Sequence, residues 1–263
     1  MYAFTYERPA SQADAAKLAQ AGGKLLAGGQ TLLASMKLRL AAPEQIVDLG
    51  AIADLKGIRR DGNAIVIGAM TLHADVAESA EVKAAIPALA ALASGIGDKQ
   101  VRARGTIGGS VANNDPAADY PAALMALGAT VRTNKREIKA DDFFQGLFTT
   151  ALDEGELITA VSFPIPKKAA YVKFPQPASL FALIGVFVAQ TDGGTRVAVT
   201  GAGNGVFRHA GMEAALNGSF APAAVANVKT DAGEMSSDLH GSSAYRAHLV
   251  GVMTQRAVAK ALA

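Results

Sequence analysis

Two glycine-rich segments place the strongest constraint on how this chain folds. The first, Leu25-Leu26-Ala27-Gly28-Gly29-Gln30-Thr31-Leu32, has the pattern of a short apolar strand, a glycine turn and the start of a helix that continues to about Leu40. Such a turn places a phosphate at a helix N-terminus, where free N–H groups and the helix dipole both favour negative charge. We therefore expect this segment to bind phosphate.

The second segment extends from Thr106 to Asp119 and begins Thr106-Ile107-Gly108-Gly109-Ser110. Because paired glycines carry no Cβ, their N–H groups can approach a ligand closely and form an anion-binding concavity. Asp115 and Asp119 add carboxylates, which accept hydrogen bonds from the hydroxyls of a sugar or a ribityl chain. The alternative interpretation is a tight turn before a helix that begins near Pro121. Together, the two segments predict a site for the two ends of a dinucleotide.

The amino-acid composition limits the chemistry that the chain carries on its own. Its 263 residues include no cysteine, which excludes disulfides, zinc–thiolate sites and iron–sulfur ligation within this chain. The four histidines show no metal-ligand spacing, so we expect no metal site. His73 is interpreted as a polar residue at a helix start rather than a ligand. Redox chemistry on this chain must therefore come from an organic cofactor.

Charge and hydropathy exclude two further classes of protein. The net charge is +2 and no basic stripe is interleaved with aromatic residues, so we expect no nucleic-acid partner. The N-terminus lacks the basic start and apolar run of a signal peptide. The longest apolar run, 178–189, is too short to span a bilayer. We expect a soluble, cytoplasmic protein without a membrane span.

The order of apolar runs and turn signals predicts an α+β fold. Hydrophobic residues make up 50% of the chain, which is enough for more than one core. We place domain boundaries so that the chain divides into 1–56, 57–167 and 168–263. In the last part we expect a hairpin at Gly193-Gly194. The main predicted strands are 64–69, 156–163, 180–190 and 196–200, and the main predicted helices are 72–79, 86–95, 208–216, 221–228 and 242–262.

Both segments, and the residues around them, resemble the two FAD-binding signatures of the flavoprotein subunit of molybdenum hydroxylases. This family includes the medium subunit of aerobic carbon monoxide dehydrogenase and the FAD domain of xanthine dehydrogenase. The resemblance covers nearly the whole chain. The matching residues are Ala27–Leu32 with Met36-Lys37-Leu38-Arg39, Gln100-Val101-Arg102 through Asp119, and in the tail Asp238, Gly241-Ser242 and Tyr245-Arg246.

The resemblance implies a fold and a cofactor. The fold is a two-subdomain FAD-binding domain of the vanillyl-alcohol-oxidase (PCMH) type, followed by a C-terminal α/β domain with an antiparallel sheet. The cofactor is FAD, held non-covalently. Residues Leu25 to Leu32 would wrap its pyrophosphate, and Asp119 would bind a hydroxyl. The other residues that the resemblance implies at the FAD are Ile96, Thr106, Gly108, Gly109, Ser110, Asp115, Ile158 at the flavin edge, and Tyr171 and Lys173 near the isoalloxazine.

The resemblance also implies a role in electron transfer. An iron–sulfur small subunit with 2Fe-2S clusters would supply electrons, and a molybdenum-binding large subunit with the molybdenum cofactor would oxidise the substrate. The expected assembly is a dimer of heterotrimers, in which this chain passes electrons to an external acceptor and has no catalytic residue of its own. Three positions depart from the family pattern, namely Ser110, Pro177 and Leu180. Two alternatives are a stand-alone flavin oxidase and a non-catalytic assembly subunit that keeps the fold.

Overall fold

The N-terminal part of the chain forms a small parallel sheet. The computed structural model describes all 263 residues, and the first sheet has the order β1-β3-β2. Ser11 begins the first helix, because its hydroxyl accepts the Asp14 N–H at 3.1 Å. The expected strand, glycine turn and helix are all present. The elements are β1 (Thr5–Glu7), α1 (Gln12–Gln20), β2 (Lys24–Leu26), α2 (Leu32–Lys37) and β3 (Gln45–Asp48).

The middle part of the chain forms an antiparallel sheet with helices packed on it. Its five strands have the order β4-β5-β10-β6-β7, and a separate two-stranded hairpin joins β8 to β9. The strands are β4 (Ile58–Asp61), β5 (Ala64–Gly68), β6 (Thr130–Thr133), β7 (Glu137–Lys139), β8 (Phe144–Gly146), β9 (Thr149–Thr150) and β10 (Ile158–Pro164). The helices are α3 (His73–Glu78), α4 (Ala80–Ala85), α5 (Pro87–Ser94), α6 (Lys99–Arg102), α7 (Ile107–Asn113), α8 (Tyr120–Leu127) and α9 (Ala140–Phe143).

The C-terminal part of the chain forms a second antiparallel sheet, with the order β11-β12-β13-β14. One face of this sheet packs on the middle part, since Tyr171 and Phe187 belong to the same core cluster of 32 buried residues as α5 and α8. The other face packs under the long C-terminal helix. The elements are β11 (Lys168–Pro175), β12 (Ala182–Thr191), β13 (Gly194–Thr200), β14 (Phe207–Arg208), α10 (Ala210–Gly218) and α11 (Ser243–Leu262).

The predicted α+β class and the antiparallel C-terminal sheet are confirmed. Two local predictions are wrong. The helix expected at 221–228 is only a short 3-10 turn, Pro222–Val225. The alternative interpretation of the second glycine segment as a tight turn is wrong, because Thr106 begins helix α7 there. The domain boundaries at 56 and 167 stay a prediction. None of the helices combines the length and apolar character needed to cross a bilayer.

Candidate functional site

A large cavity lies between the N-terminal sheet and the middle part of the chain. Its volume is about 990 Å³, at the upper end of the roughly 300–1,000 Å³ typical of small-molecule sites. Both glycine segments line it, so the structure brings together the two stretches that the sequence singled out. Ile96, Asp115, Asp119 and Ile158 line it as well. Of the predicted site residues, only Tyr171 and Lys173 do not.

The first glycine segment, Leu25–Leu32, forms what we call the open wall of this cavity. The backbone N–H groups of residues 27 to 32 donate to no acceptor within the protein. The next N–H along the chain, that of Leu33, donates to the Gly29 carbonyl at 3.1 Å. Gly29 allows the turn, since its φ of +74° lies in the left-handed region. A run of N–H groups without protein acceptors suits a ligand rich in acceptor oxygens.

The second segment, Thr106–Asp119, forms the closed wall. Here the backbone N–H groups already have acceptors: Gly108 donates to the Ala69 carbonyl at 2.8 Å, and Gly109 donates to the Thr106 hydroxyl at 3.1 Å. Ser110 donates to the Thr106 carbonyl at 3.1 Å. The expectation that the paired glycines offer free amides to a phosphate is therefore wrong for this segment. That they contact a cofactor stays a prediction.

The glycines of the closed wall serve close packing instead. A Cβ on Gly108 would lie 2.5 Å from the Ala69 Cβ, so this position has no room for a side chain. A Cβ on Gly109 would lie 3.3 Å from the Ala27 Cβ, on the opposite wall. A Cβ on Gly28 would lie 2.2 Å from the Arg104 carbonyl oxygen. The two walls are therefore in contact, and glycine is what permits it.

Asp119 ends the closed wall and is bound from behind the cavity. It is only 5% exposed, its carboxylate accepts a hydrogen bond from the Tyr171 hydroxyl, and the Lys173 Nζ lies 3.1 Å from it. The same Nζ donates to the carbonyls of Gly95 at 2.7 Å and Leu180 at 2.9 Å. Burial raises the pKa of Asp119 against the opposing effect of Lys173. Tyr171 and Lys173 thus support Asp119 and do not reach the cavity themselves.

The C-terminal sheet also holds the backbone of the closed wall. The Thr200 hydroxyl lies within hydrogen-bond distance of two carbonyl oxygens, that of Ala118 at 2.7 Å and that of Pro116 at 2.9 Å. The Gly201 N–H donates to the Pro116 carbonyl at 2.8 Å. The conformation of residues 116–119 is therefore set by contacts with the C-terminal sheet.

The sequence-based prediction missed more than half of the residues that line the cavity, among them two phenylalanines, a histidine and a glutamate. Phe148 and Phe181 line the cavity while 56% and 47% exposed, and His73 lines it while buried. Glu156 also lines it: burial alone would raise its pKa, but Arg136, the Asp153 N–H and Thr133 together lower that pKa to about 2. The one available signal was an aromatic residue next to a turn, as in Gly146-Leu147-Phe148.

His73 lies at the start of α3, as the sequence predicted, and its side chain is buried there. It is 4% exposed, and its ring packs against Tyr120 with ring centroids 5.4 Å apart. Burial, together with the nearby positive charge of Arg102, lowers the pKa of His73 to about 4. The imidazole is therefore neutral near pH 7.

Comparison with known proteins identifies the class to which this fold and cavity belong. Residues 2–166 match the family described as the FAD binding domain in molybdopterin dehydrogenase. The chain belongs to this family of oxidoreductase flavoproteins, whose cofactor is FAD.

Similarity to curated relatives extends over nearly the whole chain. The medium chain of carbon monoxide dehydrogenase from Hydrogenophaga pseudoflava is 36% identical, over 97% of this chain and 96% of the relative. The nicotine 6-hydroxylase medium subunit of Paenarthrobacter nicotinovorans is 35% identical, over 98% of this chain and 97% of the relative. These relatives are medium chains or subunits of multi-subunit enzymes.

Solved structures agree with this placement. A carbon monoxide dehydrogenase chain from Hydrogenophaga pseudoflava superposes with a TM-score of 0.91 at 36% identity, covering 99% of this chain and 98% of that one. A chain of quinoline 2-oxidoreductase from Pseudomonas putida 86 superposes with a TM-score of 0.89 at 27% identity, covering 99% and 97%. The similarity includes the C-terminal sheet, which lies beyond the residues 2–166 that match the family.

Proposed function

We propose that this chain is the FAD-carrying electron-transfer subunit of a molybdenum-containing hydroxylase or dehydrogenase complex. One observation carries the proposal: a cavity of about 990 Å³ is lined by six successive residues, 27 to 32, whose N–H groups have no protein acceptor. A diphosphate supplies the acceptor oxygens that such a run requires. Membership of the FAD-binding family supports the same assignment.

The cavity residues fit FAD in number and in kind. We assign the open wall to the pyrophosphate. Lys24 is the one lysine or arginine that lines the cavity, so the backbone N–H groups of this wall must supply most of the donors to the phosphate oxygens. Thr106, Gly108, Gly109 and Ser110 would form the second side of the binding site by close packing. Asp115 and Asp119 are the candidate acceptors for FAD hydroxyls. Ile96 and Ile158, with Phe148 and Phe181, are the apolar residues proposed to contact the ring system.

In this function the chain positions the cofactor. When bound, FAD accepts single electrons and passes them on in pairs. The cavity contains no nucleophile paired with a base. Lys173, which the resemblance places near the isoalloxazine, has its ammonium group already bound by Asp119 and two carbonyls. Lys173 instead fixes Asp119 at the cavity wall.

The proposed partners are an iron–sulfur small subunit with 2Fe-2S clusters and a molybdenum-binding large subunit. This division is supported by relatives named as medium chains and subunits, and by a chain without cysteine. The dimer of heterotrimers and the cytoplasmic location remain part of the proposal.

Purification of the chain with its natural partners tests this function. We expect flavin absorbance at about 450 nm, one FAD per chain after extraction, and iron and molybdenum in the same complex. Reduction of the flavin by substrate should require the other subunits. A complex without flavin would favour the assembly-subunit alternative, and rapid turnover of an organic substrate by the lone chain would favour the flavin oxidase.

A further inference from the structure

We propose that His73 binds a phosphate oxygen of FAD through its Nε2–H group. This inference rests on the proposed function and adds a ligand contact that neither glycine segment supplies. The residue sits at the first position of α3, and its backbone N–H donates to the Gly105 carbonyl at 3.0 Å. This bond fixes the backbone of His73 beside Gly105, the residue that precedes the closed wall.

The two ring nitrogens of His73 differ in their surroundings. Neither has a hydrogen-bond partner within the protein, and Nδ1 is sealed from solvent while Nε2 keeps access to the cavity that the ring lines. Buried N–H groups without an acceptor are rarer in proteins than buried acceptors without a donor. The proton of a neutral ring therefore belongs on Nε2, which makes this atom a donor at the cavity surface.

The neighbours of Nε2 place this donor beside the open wall. A Cβ on Gly105 would lie 2.6 Å from Nε2, so the ring rests directly on the backbone of this glycine. On the other wall, a Cβ on Gly28 would lie 2.8 Å from the Gly105 Cα. Gly105 is thus a neighbour both of the His73 ring and of the glycine turn whose N–H groups lack acceptors.

The chemistry of this group selects its ligand. A neutral imidazole donor next to a run of amide donors adds to a site for an anion, and the anionic part of FAD is its diphosphate. The competing explanation is that His73 serves only to pack against Tyr120. A phenylalanine would satisfy packing but could not donate, so the two explanations predict different results for the same substitution.

Ligand affinities of full-length variants test the inference. The probes are FAD, ADP and riboflavin, added to cofactor-stripped protein with its accompanying subunits. We expect His73→Phe to weaken binding of both FAD and ADP by about 10- to 100-fold, as for a lost hydrogen bond to a charged group, and to leave riboflavin binding unchanged. Because its amide N–H can occupy the place of Nε2–H, His73→Gln should recover most of the loss. Tyr120→Phe, which keeps the ring contact with His73, should bind all three like the unmodified protein.

The outcomes separate this inference from the proposed function. If the unmodified protein fails to bind FAD, the proposed function is wrong and this inference with it. If the unmodified protein binds FAD and His73→Phe matches it, only the role of His73 is wrong, and an equal loss of riboflavin would also reject a phosphate contact. If His73→Phe fails to fold, ¹⁵N-histidine NMR of the unmodified protein decides: ADP should shift the Nε2 resonance, and an unchanged resonance would overturn the proposal.

Discussion

The open wall and the closed wall carry similar glycine pairs but differ in whether their N–H groups have acceptors within the protein. In the open wall, residues 27 to 32 leave their N–H groups without protein acceptors. In the closed wall, Thr106 and the Ala69 carbonyl take up the N–H groups of Gly109 and Gly108. The open wall therefore offers donors to a ligand and the closed wall does not, while close backbone approach depends on glycine in both, at Gly28 against Arg104 and at Gly108 against Ala69. A glycine motif alone does not distinguish the two walls, because both require the missing Cβ.

The largest effect on stability is expected at Asp119, where the closed wall is bound by the C-terminal sheet. Asp119→Ala would leave the Lys173 ammonium, whose side chain is 11% exposed, without its carboxylate partner. Loss of one member of a buried ion pair costs about 3–5 kcal/mol. Urea unfolding of the cofactor-free protein should show a loss of this size. Asp115→Ala, which removes only an acceptor for the Ala117 N–H, serves as the control, and equal losses in the two variants would contradict this account.

Amide hydrogen exchange tests the comparison directly. With FAD at about 100 times its Kd, the N–H groups of residues 27 to 32 should exchange about 100-fold more slowly than without it. The N–H groups of residues 107 to 110 should be protected in both states, because they already have protein acceptors. Strong FAD-dependent protection confined to the closed wall would reverse the roles given to the two segments.

A smaller effect is expected at Gly108, which packs against the middle sheet. In Gly108→Ala the new Cβ would overlap the Ala69 Cβ and lie 2.7 Å from the Ala69 carbonyl oxygen. Overpacking of this kind costs about 1–3 kcal/mol, which thermal unfolding of the cofactor-free protein would measure. Gly109→Ala is the matched variant: its Cβ would face Ala27 and the Thr106 hydroxyl, so it should weaken FAD binding more than it lowers stability. If the two variants lose stability and FAD affinity to the same extent, the difference proposed between Gly108 and Gly109 is wrong.

The smallest effect is expected at the start of α7. Thr106→Ala removes the hydroxyl that accepts the Gly109 N–H, which should cost about 1 kcal/mol. For a domain of this size, this corresponds to a decrease in Tm of about 2–4 °C. Thr106→Ser keeps the acceptor and should retain nearly all of the stability. A serine variant as unstable as the alanine variant would show that the methyl group, not the cap, is what matters.

Much of the fold could be predicted from local patterns. The turn at Gly28-Gly29 lies between an apolar strand and a helix, and the hairpin at Gly193-Gly194 joins two apolar strands, so both follow from residues close in sequence. The helix at 107–113 could not be found in this way. Its first turn contains two glycines, which are poor helix formers, and it is stabilised by bonds from Ile107 and Gly108 to the distant carbonyls of Thr71 and Ala69.

The site could be predicted only where local sequence patterns mark it. Each segment carries its own signature, so the sequence identified the whole open wall and six of the cavity-lining residues of the closed wall, but not Ala112, Asn113 or Ala118. His73, Phe148 and Phe181 carry no such signature, and only the folded chain places them at the cavity. Lys173 was predicted at the site but does not line the cavity. Its ammonium group binds Gly95, Asp119 and Leu180, and a contact set that joins segments so far apart in sequence has no local signature.

The Lys173 ammonium group has a consequence for how this protein can be divided. Residues 2–166 match a known domain, which suggests a fragment that could be expressed alone. That fragment would keep Asp119 but lose the lysine and the tyrosine hydroxyl that bind it, as well as Thr200 beneath Ala118. A carboxylate and a loop that are buried in the whole chain would then face water. The two halves of this protein are therefore mutually dependent, and a cut at the apparent boundary should yield an insoluble or misfolded product.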